Sequence, residues 1–157
     1  MKISGKIATF AAVLIMAAAG SVATSGSATA ATPKLHTAHY TASSPVAPPA
    51  SLRGPHGEKP VEWGVAVFSV DPAAKAFSAT GADESAGGGT WTYGTELVAS
   101  TQIKGCYSNY MHRTKKHSAS VSMASQTDKD IQAADIWANA RVNTGYGYTC
   151  YTYWGVY

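Results

Sequence analysis

The chain has 157 residues, a length that allows one domain of ordinary size. Charged residues make up 13%, about half of the average share, and the formal net charge is +3. No basic run interleaved with aromatic residues is long enough for nucleic-acid binding. The small positive excess suits a protein that visits anionic envelope surfaces, and it equally suits a merely soluble protein.

The first segment, residues 1–30, has the pattern of a secretory signal peptide. Two lysines precede an apolar run from Ile7 to Ala19, and Ala28-Thr29-Ala30 fits the rule for cleavage after small residues. The alternative is a membrane anchor, but the run is short of the roughly 20 residues that cross a bilayer. We therefore expect a secreted, extracellular protein that begins at or after Ala31.

The middle of the chain is predicted to have little compact structure. Residues 31–60 are rich in Ala, Pro, Ser and Thr, and we expect them to be disordered or extended as a linker, a propeptide or a tail. Residues 61–70 alternate in a β-branched pattern that predicts a strand, either an extra edge strand or part of a pro-region. Residues 81–89 (GADESAGGG) indicate a flexible hinge, so residues 61–87 form a possible strand followed by a hinge.

The compact domain is expected over residues 88–157. It combines aromatic and alternating segments with frequent turn signals, which favours a small antiparallel sandwich or barrel. A seven-residue alternation in HSASVSM indicates a half-buried strand. Loops are expected at 113–116 and 124–130 and a turn at 143–145, and strands at 89–94, 106–112, 117–123, from 135 or 136 to 142, and at 146–154.

Cys106 and Cys150 are the only cysteines, and both lie in the exported part of the chain. An even count without CxxC spacing favours a disulfide over a metal or redox site, and disulfides persist outside the cell. The alternative is two free buried thiols. A domain of about 70 residues lies near the lower size limit for a self-sufficient core, so a covalent link would stabilise it.

The segment between the strands at 106–112 and 117–123 is a candidate ligand site. These strands are predicted to form a hairpin whose tip carries Arg113, Lys115 and Lys116, a cluster that can bind phosphate. The alternative is a solvated turn. His112 and His117 would face each other across the hairpin. Because two ligands are too few for a metal site, we favour structural or surface histidines, and we expect no metal and no cofactor.

Enzyme motifs are missing from the sequence. It contains no G-x-S-x-G, no H-E-x-x-H and no phosphate-cradling loop, and its glutamates form no recognisable pair. We therefore expect a protein that is not an enzyme.

Four blocks of the C-terminal part, in order and spacing, resemble the lactococcin 972 family of bacteriocins: GTWTYG (89–94), YSNYMH (107–112), KHSASV (116–121) and WANA (137–140). The resemblance covers roughly residues 88–157. It implies a secreted bacterial antimicrobial protein whose fold is a β-sandwich of two antiparallel sheets. It also implies binding of the wall precursor lipid II and a block of septum formation, without enzymatic activity. The chain departs from the family's founder in its two cysteines and in the long segment before the domain.

The leading hypothesis is therefore a bacteriocin that binds a membrane-bound wall precursor such as lipid II on the envelope of target bacteria. Its pyrophosphate would meet the basic tip while aromatic residues rest near the headgroups in a peripheral membrane contact. The alternative is a secreted non-toxic binding module, such as a hydrolase inhibitor or an envelope-surface protein. A monomer and a homodimer both fit this hypothesis. Further candidate ligand contacts are Tyr107, Tyr110 and Trp137.

Overall fold

The computed structural model describes residues 34–70, 79–98 and 103–157, so the predicted signal peptide at 1–30 lies outside the described residues. The described residues form an antiparallel all-β sandwich, which confirms the predicted fold class. One short 3-10 helix, Ala50–Leu52, accompanies the strands. The strands are β1 (Lys34–Thr41), β2 (Glu62–Ser69), β3 (Thr80–Ala86), β4 (Gly89–Leu97), β5 (Ile103–Met111), β6 (His117–Met123), β7 (Gln126–Gln132), β8 (Ala138–Gly145) and β9 (Cys150–Val156).

The two sheets have the orders β1-β2-β9-β6-β7 and β3-β4-β5-β8. The strand predicted at 61–70 is therefore an interior strand, because β2 pairs with β1 on one side and β9 on the other. The predicted hinge at 81–89 is wrong for most of its length, since it contains β3. Only Gly87 and Gly88 form the turn between β3 and β4, with φ of +54° and +81°, which glycine adopts readily.

Residues 42–61, here called the strap, cross the outer face of the five-stranded sheet. Leu52 is fully buried in the strap, and the Tyr157 hydroxyl donates a hydrogen bond to its carbonyl. The serines Ser118 and Ser120 on the outer face of β6 are also fully buried. The expectation that residues 31–60 are disordered is therefore wrong for residues 34–60, although β1 is extended. The composition of a Pro-rich segment does not show whether the segment packs against the face of a sheet formed by other residues.

The predicted hairpin of residues 106–123 is also corrected by the structure. β5 belongs to the four-stranded sheet and β6 to the five-stranded sheet, so residues 112–116 cross from one sheet to the other. A connection of this length fits a hairpin turn, but it also spans the gap between two packed sheets. The strand at 117–123 has its predicted bounds.

Four predicted elements near the C-terminus have other bounds in the structure. The loop expected at 124–130 is mostly β7, an edge strand that is polar because one side of it is exposed. The strand expected from 135 or 136 to 142 is β8, which begins at Ala138 and continues to Gly145. The chain therefore turns at 146–149 rather than at 143–145. The last strand therefore begins at Cys150 rather than at residue 146.

The core lies between the sheets and is dominated by aromatic side chains. Trp91 stacks on Tyr93 with ring centroids 3.7 Å apart. The Trp91 indole N–H donates to the Ser108 hydroxyl at 2.9 Å, and that hydroxyl donates to the Tyr153 carbonyl at 2.8 Å, so these three buried polar groups are paired. Phe68 and Trp154 complete this core from the other sheet.

The predicted disulfide between Cys106 and Cys150 is confirmed. Both residues are fully buried, and their Cα atoms lie 5.8 Å apart, a common separation for bonded cysteines. Cys106 lies on β5 and Cys150 on β9, so the bond joins the two sheets across the core.

Candidate functional site

The basic loop, residues 113–116, is exposed throughout, as the sequence predicted for its cations. Arg113 and Lys115 have no ion-pair partner within the part of the chain that the structure describes. Lys116 differs, because its Nζ lies 2.7 Å from a Glu58 carboxylate oxygen and 5.1 Å from the centre of the Tyr157 ring. The hydrogen bond from Lys116 holds the pKa of Glu58 at about 2. Two of the three predicted cations therefore remain available to a ligand.

His112 supports the basic loop from inside. Its Nδ1 accepts the backbone N–H groups of Thr114 at 3.2 Å and of Lys115 at 3.1 Å. Burial lowers the pKa of His112, and Coulombic interactions with Lys115 and His117 lower it further. The neutral ring, with Nδ1 free to accept, is the form that fits these two hydrogen bonds.

His117 connects the basic loop to the loop at 133–137. It is fully buried, and its two ring nitrogens lie 2.8 Å from the backbone carbonyl oxygens of Lys115 and Ile136. Carbonyl oxygens only accept hydrogen bonds, so a neutral ring satisfies one of them and a protonated ring satisfies both. His112 and His117 do come close, with ring centroids 6.5 Å apart, but they meet at a crossing between sheets rather than across a hairpin.

The loop at 133–137 places apolar side chains beside the cations. Its Asp135 N–H donates to the His112 carbonyl at 2.9 Å, which fixes the loop next to residues 112–116. Ile136 is 50% exposed and Trp137 is 42% exposed. This end of the sandwich therefore combines two exposed apolar residues with two cations that have no ion-pair partner among the described residues. A tryptophan in such a position can lie at the boundary between headgroups and acyl chains of a bilayer.

The three aromatic candidates lie in different environments. Trp137 is exposed beside the basic loop, and Tyr107 is half-buried on the outer face of the four-stranded sheet. Tyr110 is fully buried, its hydroxyl donates to the Ala86 carbonyl at 2.8 Å, and its ring meets His117 edge-on. Tyr110 is therefore a core residue, and its burial is at odds with direct contact to a ligand.

Two features of this end were not predicted. From the sequence, Ile136 is expected only at the start of a strand, although two large apolar residues that follow a polar segment indicate an exposed contact. The Glu58 partner of Lys116 was missed because its segment was expected to be disordered. An ion pair between residues 58 positions apart leaves no local pattern in a sequence.

The described residues contain no group of three or more His, Cys, Asp or Glu side chains placed to hold a metal ion. Within the same residues, no helix is long and apolar enough to cross a membrane. The geometry therefore provides a candidate binding surface, made of cations and exposed apolar side chains at one end of the sandwich.

The fold and this surface define a small disulfide-linked β-sandwich protein with a cationic, partly apolar end. Residues 87–154 match the sequence model of the bacteriocin family Lactococcin_972, which confirms the resemblance over that part of the chain. The match supports a bacteriocin-like secreted protein, and the family points to a protein without enzymatic activity. No curated protein and no solved structure in the comparisons matches the chain significantly. β1, β2 and β3 lie outside the matched residues.

Proposed function

We propose that the protein is a secreted bacteriocin that binds a phosphate-linked wall precursor such as lipid II and thereby blocks septum or wall synthesis in related bacteria. The observation that carries the proposal is the pairing of Arg113 and Lys115, both without ion-pair partners in the described chain, with exposed Ile136 and Trp137. Lipid II presents a pyrophosphate at the membrane surface. A protein that binds it there needs cations for the phosphates and apolar side chains for the adjoining membrane.

The chemistry of the two cations suits a pyrophosphate. The guanidinium of Arg113 offers a planar fork of N–H donors, and the ammonium of Lys115 offers a compact charge. Ile136 and Trp137 would enter the headgroup region beside them, because they share the same end of the molecule. A membrane that carries the precursor would therefore be bound by both kinds of contact at once.

The test is a double variant, Arg113→Ala with Lys115→Ala, in the full exported chain. Binding is measured by titration with vesicles that contain lipid II in an otherwise neutral membrane. Each desolvated hydrogen bond to a charged group contributes about 1.5–3 kcal/mol, so we expect the dissociation constant to rise at least tenfold. Added salt should weaken the wild type more than the variant, because the variant has lost the exposed charges.

A matched control removes one arginine and one lysine elsewhere. Arg53 and Lys59 lie on the strap and are exposed, so Arg53→Ala with Lys59→Ala changes the net charge by the same amount. Full binding by the loop variant, or equal loss in the control variant, would show that the basic loop is a solvated turn. Growth-inhibition tests on related strains separate a bacteriocin from a non-toxic binding module, since only the former kills.

A further inference from the structure

The two outer faces of the sandwich differ in what covers them. On the five-stranded sheet, the strap buries the outward serines of β6. No described residues form a similar cover over the four-stranded sheet, and its outward side chains are mostly small or polar, with Tyr107 and the exposed Ile103 as larger ones on β5. A cleft of about 310 Å³ opens there between β5, β8 and the edge of β7. It is lined by Glu96, Tyr107, Asn109, Asp128, Asn139, Ala140 and Arg141.

Tyr107 forms an aromatic surface on this face. A Cβ atom added to Gly81 or Gly94 would overlap or crowd the Tyr107 hydroxyl, so the phenol lies down across β4 towards β3. Burial raises the pKa of Tyr107, and the nearby Asp83 carboxylate raises it further. The hydroxyl is therefore protonated at neutral pH and can donate, while one side of the ring faces away from the glycines.

Amide side chains stand next to this ring. Asn109 pairs with Asn139 across β5 and β8, and Thr92 pairs with Asn109 on the other side, so three neutral polar residues form one row. The Asn139 amide N–H donates to the Trp137 carbonyl at 3.1 Å, which orients its carbonyl oxygen. Each amide supplies both donors and an acceptor, the combination that hydroxyl groups require.

The charges in the cleft are already engaged. Arg141 forms an ion pair with Glu96, and its Nε–H donates to Asn143 Oδ1 at 3.2 Å. The Asp128 carboxylate accepts the backbone N–H of Arg141 at 2.8 Å. A phosphate would find no unpaired cation among these residues, so the cleft suits a neutral ligand rich in hydroxyl groups.

We propose that this cleft binds saccharide rings, with the apolar side of a sugar on Tyr107 and its hydroxyl and amide groups on Asn109 and Asn139. The inference rests on the proposed function for the source of the sugar, a glycan attached to a phosphate at the membrane surface. The two sites are close enough for one ligand, because Asn109 precedes Arg113 by four residues, a separation of at most about 14 Å. The cations would bind the phosphate and the cleft would bind the sugars beyond it.

The test uses chitotetraose, a soluble uncharged saccharide that carries neither phosphate nor lipid. The exported chain, labelled with ¹⁵N, is titrated and its backbone amide signals are followed by NMR. We expect shifts confined to β4, β5 and β8, and a dissociation constant of about 1 mM or tighter. The variant Asn109→Ala with Asn139→Ala should weaken binding at least tenfold. Tyr107→Leu should do the same while still covering the glycines.

Thr37→Ala is the control, because it removes an exposed polar side chain from β1, which lies at the opposite edge of the five-stranded sheet from β7. It should bind as the wild type does. The saccharide site would be overturned if chitotetraose caused no signal shifts in the folded protein. It would also be overturned if the signals shifted with protein concentration but not with added chitotetraose. The Arg113→Ala, Lys115→Ala variant should bind chitotetraose normally. If that variant also keeps lipid II binding, the proposed function fails while the saccharide site stands.

Discussion

Removing the bond between Cys106 and Cys150 should destabilise the fold strongly, because it is a covalent link between the two sheets. Both cysteines are fully buried, one on an interior strand of each sheet. The perturbation is the double variant Cys106→Ala with Cys150→Ala, which removes both sulfur atoms and leaves no reactive thiol. Ser substitution would add buried hydroxyl groups and confuse the comparison.

The magnitude follows from the length of the closed loop. The cysteines are 44 residues apart, and the chain-entropy relation for a loop of this size gives about 4 kcal/mol at 25 °C. A domain of this size has a free energy of unfolding of about 5–15 kcal/mol, so the bond supplies a large share. With a urea dependence of about 2 kcal/mol per M, the midpoint should fall by about 2 M.

The assay is equilibrium urea unfolding followed by tryptophan fluorescence, because Trp91 and Trp154 are buried in the core. The wild type is measured with and without reducing agent, and the variant serves as the internal control, since reduction should not affect it. Reduced wild type and variant should unfold at similar urea concentrations, both well below the oxidised protein. Equal midpoints for oxidised and reduced wild type would refute the reasoning and make the bond irrelevant to stability.

Two further predictions concern the strap and the histidine under the basic loop. Leu52→Ala should lower the free energy of unfolding, measured in urea, by about 2–4 kcal/mol, because Leu52 is fully buried. Val46→Ala, at an exposed strap position, should change it little. A Leu52→Ala effect as small as that of the control would mean that the strap adds no stability. His112 should titrate below its ordinary pKa of 6.5, as followed by NMR of its ring protons. The contribution of His112 to stability is therefore present above pH 6.5 and is lost as the pH falls through the lowered pKa. The reason is that a protonated Nδ1 cannot accept the N–H groups of Thr114 and Lys115. A measured pKa at or above 6.5 would contradict this.

Local pattern predicted the strands whose two faces differ most. The alternation of HSASVSM gave the bounds of β6, and the aromatic and β-branched segments gave β2, β4, β5 and β9 to within a few residues. The cysteine count gave the disulfide, because pairing two cysteines leaves one choice. These features depend on near neighbours in sequence or on a count, both of which a single sequence contains.

The errors have one physical cause, which is that sheet membership is decided by distant residues. β3 and β7 are polar edge strands, and a polar edge strand has the composition of a loop. The connection at 112–116 has the length of a hairpin turn, yet the two strands that flank it do not pair with each other. β5 pairs with β4 and β8, whereas β6 pairs with β7 and β9. At the candidate site, the cations were predicted from residue type alone. Tyr110 is expected to contact a ligand, but it lies in the core, and the sequence does not show which face of β5 turns inward.

The carboxylates of β7 explain how the sandwich closes along one side while leaving the proposed cleft open. Asp130 accepts the backbone N–H of Asn139 at 3.0 Å, and Asp128 accepts that of Arg141 at 2.8 Å. These are the outward N–H groups of β8, the edge of its sheet, which would otherwise be free to pair with another chain. The same two bonds hold the backbone of β8 at the wall of the cleft. Because side chains of β7 accept these N–H groups, no further strand covers the edge of β8, and Asn139 and Arg141 remain exposed. The two carboxylates therefore protect the edge and also hold the backbone at the surface proposed to bind saccharide.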